Sequence, residues 1–144
     1  MAQQDRGHYA QKHAPHKKLN QRIAKVVREK AENGEMPCAV AFKIADELDV
    51  LPAEVGLTLD LLEIPVTHCQ LGLFGYKPKK RIVKSAEVTS TPLKEAIHKN
   101  LVKGRLPCLA AWDIAESLTV TKLAISMSCE SLKVKVCNCQ LGAF

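Results

Sequence analysis

The sequence repeats itself at an offset of 70 residues. GEMPCAVAFKIADELDV at 34–50 aligns with GRLPCLAAWDIAESLTV at 104–120, and HCQLGLF at 68–74 aligns with NCQLGAF at 138–144, without a gap. Over a third of the 41 aligned positions from Gly34 to Phe74 are identical, whereas unrelated stretches of typical composition agree at roughly 6%. A chain of 144 residues therefore contains two related small domains, each near the lower size limit for an independent core.

The repeat also predicts where the domains begin and end. We expect a flexible N-terminal tail at 1–16, a first repeat at 17–75, a basic linker at 76–86 and a second repeat at 87–144. The stretch YKPKKRIVKSAEVTS, which contains the linker, is rich in charge and polar residues and includes a proline.

Each repeat has helical apolar spacing followed by an alternating stretch. We expect a first amphipathic helix that stops near Gly34 or Gly104, a second helix at about 37–48 and a third at about 52–62 in the first repeat. IPVTHCQLGLF and VKVCNCQLGAF then alternate and contain β-branched residues, which indicates a strand. The predicted fold class is mainly α with small β.

The composition is that of a globular protein, with 47% apolar and 25% charged residues. No apolar run approaches the roughly 18 residues that span a bilayer, and the start of the chain has no apolar signal region. We therefore expect a cytoplasmic protein with no membrane partner, whose six cysteines are reduced.

Two stretches carry a resemblance to a known family. AFKIADELDVLPAEVGLTLDLL and AWDIAESLTVTKLAISMSCESL resemble the helix-turn-helix of bacterial transcription regulators. Ala45 and Ala115 supply the small residue at the helix crossing, and the family's turn glycine is replaced by Asp49 and Thr119. The first repeat also has the pattern's apolar residues, which are Ile44, Leu48, Val50, Val55 and Leu59.

The helices and the following strand are loosely similar to molybdate-responsive repressors of the winged-helix type. The resemblance implies two tandem winged-helix-like repeats that form an internal pseudo-dimer, and a non-catalytic DNA-binding transcription regulator.

In such regulators the third helix enters the major groove, and its early exposed positions contact the bases. The first repeat offers Leu51, Pro52, Ala53, Gly56 and Leu57, and the second offers Thr121, Lys122, Leu123, Ser126 and Met127. Only Lys122 is a strong partner for a base. Residues 34–75 also carry a net charge of −6, which repels DNA.

DNA affinity is therefore expected to come mainly from basic side chains that contact phosphates. The predicted DNA-binding residues are Lys17, Lys18, Arg22, Lys25, Lys77, Lys79, Lys80, Arg81 and Lys122. A solvated basic helix and a self-repelling linker would give the same pattern without nucleic acid.

The alternative function is a protein interaction module. In that interpretation the apolar third helices bury against a protein partner or a second copy, through Leu51, Leu57, Leu123 and Met127.

The cysteines raise the question of a metal or redox site. Cys38 and Cys69 are 31 residues apart, and Cys108 and Cys139 repeat this spacing, so four thiolates could hold zinc or an iron-sulfur cluster. Paired Cys-x2-Cys motifs are missing, and free cysteine is a common core residue, so no metal or cofactor is favoured. Cys129 aligns with Leu59, an inward position, and is expected in the core.

No motif of an active site is present. The chain has no Gly-x-Ser-x-Gly, no phosphate-binding glycine loop and no His-Glu-x-x-His, so we expect no enzymatic activity. His8, His13 and His16 are expected to be solvated.

Overall fold

The computed structural model describes residues 9–13, 18–77 and 80–144 and is mainly helical with small strands. The first half contains α1 (Gln21–Lys30), β1 (Met36–Pro37), α2 (Cys38–Leu48), α3 (Pro52–Leu61) and β2 (Val66–Thr67). The second half contains α4 (Thr91–Lys99), β3 (Arg105–Pro107), α5 (Cys108–Leu118), α6 (Lys122–Ser131) and β4 (Lys135–Cys137). The two halves have the same order of elements.

Local chemistry explains where the helices begin. Asn20 Oδ1 accepts hydrogen bonds from the backbone N–H groups of Arg22 and Ile23 at 3.0 and 3.2 Å, which caps α1. Ser90 caps α4 in the same way, through Leu93 N at 3.4 Å. The helices α2 and α5 each follow a proline in extended conformation.

The turn after α2 and after α5 is formed by a residue in the left-handed conformation. Asp49 and Thr119 both have φ of 54°, the conformation for which glycine is favoured. Each residue's backbone N–H bonds back to the end of its helix, so the turn closes without a glycine.

Each half contains a two-stranded parallel sheet. Met36 pairs with Val66 and Pro37 with Thr67, while Arg105 pairs with Lys135 and Pro107 with Cys137. In each half, the segment before the second helix and the segment after the third thus lie in one small sheet. The two helices between the strands supply the long connection that parallel pairing needs.

The core follows the predicted apolar positions. Ile44, Ala45, Val55 and Leu59 are at most 2% exposed, whereas Leu48 and Val50 are half-buried. Cys129 is buried, as its alignment with Leu59 predicted.

The chain divides into two compact units whose bounds differ from the sequence repeats. The first unit comprises the residues up to Cys69 together with Gln140–Phe144, and the second comprises Gln70–Cys139. The QLGxF pattern at the end of each repeat therefore belongs to the unit formed by the other repeat. We call Gln140–Phe144 and Gln70–Phe74 the covering segments.

The covering segment of the first unit lies on α3. Leu141 is buried, and its carbonyl group lies directly against the backbone of Gly56, where a Cβ atom would overlap it. The strand predicted in VKVCNCQLGAF is therefore shorter than expected, because β4 ends at Cys137 and Leu141 packs on α3 instead. In the second unit, Leu71 and Phe74 are buried, and Gly72 lies close to the side chains of Leu123 and Ile82.

The predicted linker also packs within the second unit. Ile82 N donates to Gly72 O at 2.9 Å, and Ala86 N donates to Met127 O at 3.0 Å. Val83 is buried, and Thr89 Oγ1 donates to Ser128 Oγ at 3.3 Å. Residues 82–89 thus lie beside α6 and donate hydrogen bonds to two of its residues, Met127 and Ser128.

Part of the expected tail is attached to the first unit. Residues Tyr9–Lys12 form a short 3-10 helix, and the N–H groups of Tyr9 and Ala10 donate to the Glu63 carboxylate at 2.8 and 3.0 Å. His13 Nε2 lies 2.8 Å from Asp60 Oδ2, so His13 is paired rather than solvated. His8 and His16 lie outside the described residues.

None of the helices formed by residues 9–13, 18–77 and 80–144 has the length and apolarity needed to cross a membrane.

Candidate nucleic-acid interface

The covering segments occupy the faces of the third helices that were expected to read bases. Gly56 is buried under Leu141, and Ser126 is 2% exposed. The expectation that these two positions are exposed is wrong, because each helix packs against a segment far away in the sequence. Leu51, Ala53 and Thr121 at the starts of these helices remain exposed, so only the part of each face around Gly56 and Ser126 is closed.

The side chain of Lys122, the predicted base contact, packs over the ring of Trp112. Its Nζ lies 4.5 Å from the centroid of the Trp112 ring, a cation–π distance, and its side chain is half-buried. The neighbouring Thr121 accepts a hydrogen bond from Ala124 N at 3.0 Å and so caps α6. The start of α6 is therefore committed to contacts within its own unit.

The predicted interface residues differ in exposure. Leu51 is 68% exposed, whereas Leu57, Leu123 and Met127 are half-buried. The third helices do not present these four side chains as one open apolar face.

Apart from Lys122, the predicted phosphate-contacting residues are exposed wherever the structure describes them. Lys18, Arg22 and Lys25 lie at or in α1, and Lys77, Lys80 and Arg81 lie in the second unit. Lys17 and Lys79 lie outside the described residues. Arg22 Nη2 donates to Leu48 O at 3.1 Å, and Arg81 Nη2 donates to Glu130 Oε2 at 2.9 Å, so these two guanidinium groups are partly engaged.

A further set of cations lies at one end of the second sheet. Arg105 and Lys135 are register partners on β3 and β4, and both are exposed. Lys103 and Lys133 lie two residues before Arg105 and Lys135, respectively. Both lysines are exposed and have a left-handed backbone conformation. We call these four residues the β3–β4 cation cluster.

The β3–β4 cation cluster is electrostatically uncompensated within the described part of the chain. None of its four residues forms a salt bridge with another described residue. Like charges on directly opposed strand residues repel each other, so this arrangement disfavours the sheet unless an anion approaches. The second unit has twelve Lys and Arg against five Asp and Glu, a net +7, whereas the first unit has nine against ten, a net −1.

Sequence reasoning missed this cluster, although the alignment of the repeats contained a signal. The four cations align with Asn33, Glu35, Glu63 and Pro65 of the first repeat. Two acidic residues and two uncharged residues have thus become four cations at one end of one sheet. The strand register, which brings Arg105 and Lys135 together, comes only from the structure.

The cysteines are dispersed between core and surface. None of the six forms a disulfide bond; Cys38, Cys69 and Cys108 are buried, and Cys139 is half-buried. Within residues 9–13, 18–77 and 80–144, no three His, Cys, Asp or Glu side chains are grouped as ligands of one metal ion. Burial, followed by the charge of Glu130, raises the pKa of the Cys129 thiol to about 11.

A cleft of about 640 Å³ lies between α5 and the start of α6. Its apolar lining includes Leu109, Trp112 and Val120, and its acidic lining residues are Asp113 and Glu116. Leu109 is 56% exposed and Val120 is 38% exposed, so the cleft continues onto an open apolar surface.

Comparison of the chain with protein families, with curated proteins and with solved structures gave no match.

Proposed function

We propose that this chain is a non-catalytic DNA-binding regulator whose second unit binds the phosphate backbone through the β3–β4 cation cluster. The observation that carries the proposal is the register pairing of Arg105 with Lys135, two exposed cations without a described acidic partner. Lys103 and Lys133 extend the same charged surface. Contact with DNA phosphates relieves the repulsion among these cations and releases the counterions condensed on the DNA.

The spacing of the cluster suits a polyanion. Neighbouring strands lie about 5 Å apart, and residues two positions apart on a strand are separated by about 7 Å. Arg105 and Lys135 occupy neighbouring strands of this grid, and Lys103 and Lys133 lie in the turns that precede these strands, so a single small anion would neutralise only part of the four charges. The net charge of +7 on the second unit adds long-range attraction in the same direction.

We further propose that both units are related to tandem helix-turn-helix repeats. The support comes from α2–turn–α3 and α5–turn–α6, with a buried alanine at each crossing and a left-handed residue in each turn. The proposed likeness to winged-helix proteins and the proposed internal pseudo-dimer are supported by these helices alone. The small sheets add no support, because they are parallel and join segments on either side of the helix pair.

Base recognition by α3 and α6 is restricted in this account, because the covering segments lie on them. Binding is therefore directed at phosphates and is largely independent of base sequence. Lys18, Arg22, Lys25, Lys77, Lys80 and Arg81 are exposed and supply further phosphate contacts.

Binding of the full chain to mixed-sequence duplex DNA at 50 and 200 mM salt tests this function. Phosphate-directed binding through four or more cations predicts tight retention at the lower salt and a loss of at least about a hundredfold in affinity at the higher. No retention at 50 mM would overturn the DNA proposal.

A second candidate function is supported by the open cleft on α5. We propose as its occupant a protein segment that has a large apolar side chain flanked by Lys or Arg. The apolar group would fit among Leu109, Trp112 and Val120, and the cations would face Asp113 and Glu116.

The cleft also has an internal comparator, because Leu109 and Asp113 align with Ala39 and Lys43 of the first repeat. A Leu109→Ala/Asp113→Lys chain carries the first repeat's residues at both positions. It is expected to lose binding of a basic, leucine-containing peptide at least tenfold by fluorescence anisotropy. Equal binding by the variant and the natural chain would exclude this occupant.

A further inference from the structure

The outward face of α3 is fitted to the backbone of the Gln140–Phe144 covering segment. Gly56 is an interior helical residue, a position where glycine is unfavourable unless close packing requires it. Here a Cβ atom would overlap the carbonyl oxygen of Leu141, so the glycine is what permits the contact. Leu141 is 2% exposed, whereas the other residues of the segment are half-buried or exposed, so Leu141 is its buried anchor.

The same sequence pattern has the same relation to the second unit. Leu71 and Phe74 are buried there, and Gly72 approaches Leu123 near the start of α6. Gln-Leu-Gly-x-Phe is therefore a short motif that lies against a third helix in both units. We call the surface of α3 around Gly56 the α3 seat.

Each covering segment comes from the other repeat. The first unit is otherwise built from residues up to Cys69, and its covering segment follows the whole of the second unit. A third helix thus accepts a motif that its own repeat does not supply. The α3 seat therefore recognises the residues of the segment, whether that segment belongs to the same chain or to another.

We propose that the α3 seat accepts the Gln140–Phe144 segment of a second copy of this chain, forming a dimer by reciprocal exchange. Every contact made at the seat in one chain can be made identically between two chains, the condition under which exchange dimers form at little cost. The exchange is independent of nucleic-acid binding and uses a different surface.

The short connection before the segment provides the point of rearrangement. Only Asn138 and Cys139 separate β4 from Gln140. Asn138 is exposed and has φ of 50°, and asparagine adopts both left-handed and extended conformations more readily than most residues. A change at Asn138 redirects the segment without altering a helix or a strand.

Refolding of the full chain at a series of protein concentrations tests the proposal. We expect the dimer fraction, measured by size-exclusion chromatography with light scattering, to rise with the concentration during refolding. A Leu141→Asp chain should form at least tenfold less dimer, because a carboxylate cannot enter the seat. A Val88→Asp chain, changed at an exposed apolar residue outside the proposed binding surfaces, should behave as the natural chain. Absence of a dimer at all concentrations, or an undiminished dimer in Leu141→Asp, would overturn the proposal.

Mixing two complementary variants separates exchange from a general loss of folding. A Gly56→Val chain retains a normal segment but has a blocked seat, and a Leu141→Asp chain retains a normal seat but has a damaged segment. Co-refolding the two, with different tags, should give a heterodimer of one copy each in native mass spectrometry, at several times the level of either homodimer. A mixture without heterodimer excess contradicts exchange at the α3 seat.

Discussion

Two equivalent turn residues show how chemistry at single positions differs between the units. Asp49 and Thr119 have the same left-handed backbone, with φ of 54°. Aspartate tolerates this conformation better than most residues, whereas a β-branched side chain is strained there. The sequence placed these residues in the turn correctly, and the structure supplies the backbone angle from which the strain follows.

Replacing Thr119 by asparagine should therefore stabilise the protein. We expect the free energy of unfolding to rise by about 1 kcal/mol, since the strain of a β-branched left-handed residue is removed. Thr121→Ala, two residues on, should lower it by about 1 kcal/mol because Thr121 caps α6. Urea unfolding of both variants measures the difference, and a loss of stability in Thr119→Asn would contradict the assigned strain.

Cys129 should make the stability of the protein decrease at alkaline pH. Its pKa is raised from 9.0 to about 11 by burial and by the charge of Glu130. Between these values the unfolded chain releases the proton and the folded chain keeps it, so unfolding is increasingly favoured as pH rises. Urea unfolding from pH 8 to 11 should show a steeper decrease for the natural chain than for Cys129→Ala, and equal slopes would contradict the raised pKa.

At the scale of elements, the seats on α3 and α6 have the same place but different chemistry. Gly56 aligns with Ser126, and the serine hydroxyl is buried without a hydrogen-bond partner in the described part of the chain. The covering segment thus lies against the backbone of α3, whereas α6 retains a side chain at the equivalent position.

Alanine at these two aligned positions should have opposite effects. Gly56→Ala should lower the free energy of unfolding by about 2 kcal/mol, because the added methyl group overlaps Leu141. Ser126→Ala should leave it unchanged or raise it by up to about 1 kcal/mol, because an unsatisfied buried hydroxyl is removed. Thermal and urea unfolding compare the pair, and an unaffected Gly56→Ala would exclude the close contact.

Helix positions were predictable from the sequence because they depend on neighbouring residues. The second helix was expected at about 37–48 and is Cys38–Leu48, and the third was expected at about 52–62 and is Pro52–Leu61. Apolar spacing and proline at the helix starts carry this information. The exposure of Gly56 and Ser126 was predicted wrongly, since it depends on segments distant in sequence.

At the scale of the whole molecule, the two units differ in net charge, and each contains the QLGxF segment of the other repeat. This crossing of the segments within one chain could not be predicted from the sequence, because both repeats contain the same QLGxF motif and no neighbouring residue indicates which helix each copy covers. The β3–β4 cation cluster was missed for a similar reason. Arg105 and Lys135 are 30 residues apart in sequence and become neighbours only through strand register.

We have proposed that the β3–β4 cation cluster binds DNA phosphates. A direct test is the salt dependence of DNA binding by an Arg105→Gln/Lys135→Gln chain, beside a Lys43→Gln/Lys94→Gln chain, which has the same change in net charge at two exposed lysines without an assigned DNA contact. The slope of log K against log salt is negative, and we predict that the first pair of substitutions makes it less steep by about 2, since each lost phosphate contact removes about 0.9. The second pair should change the slope less. Equal slopes for the two variants would contradict the assignment.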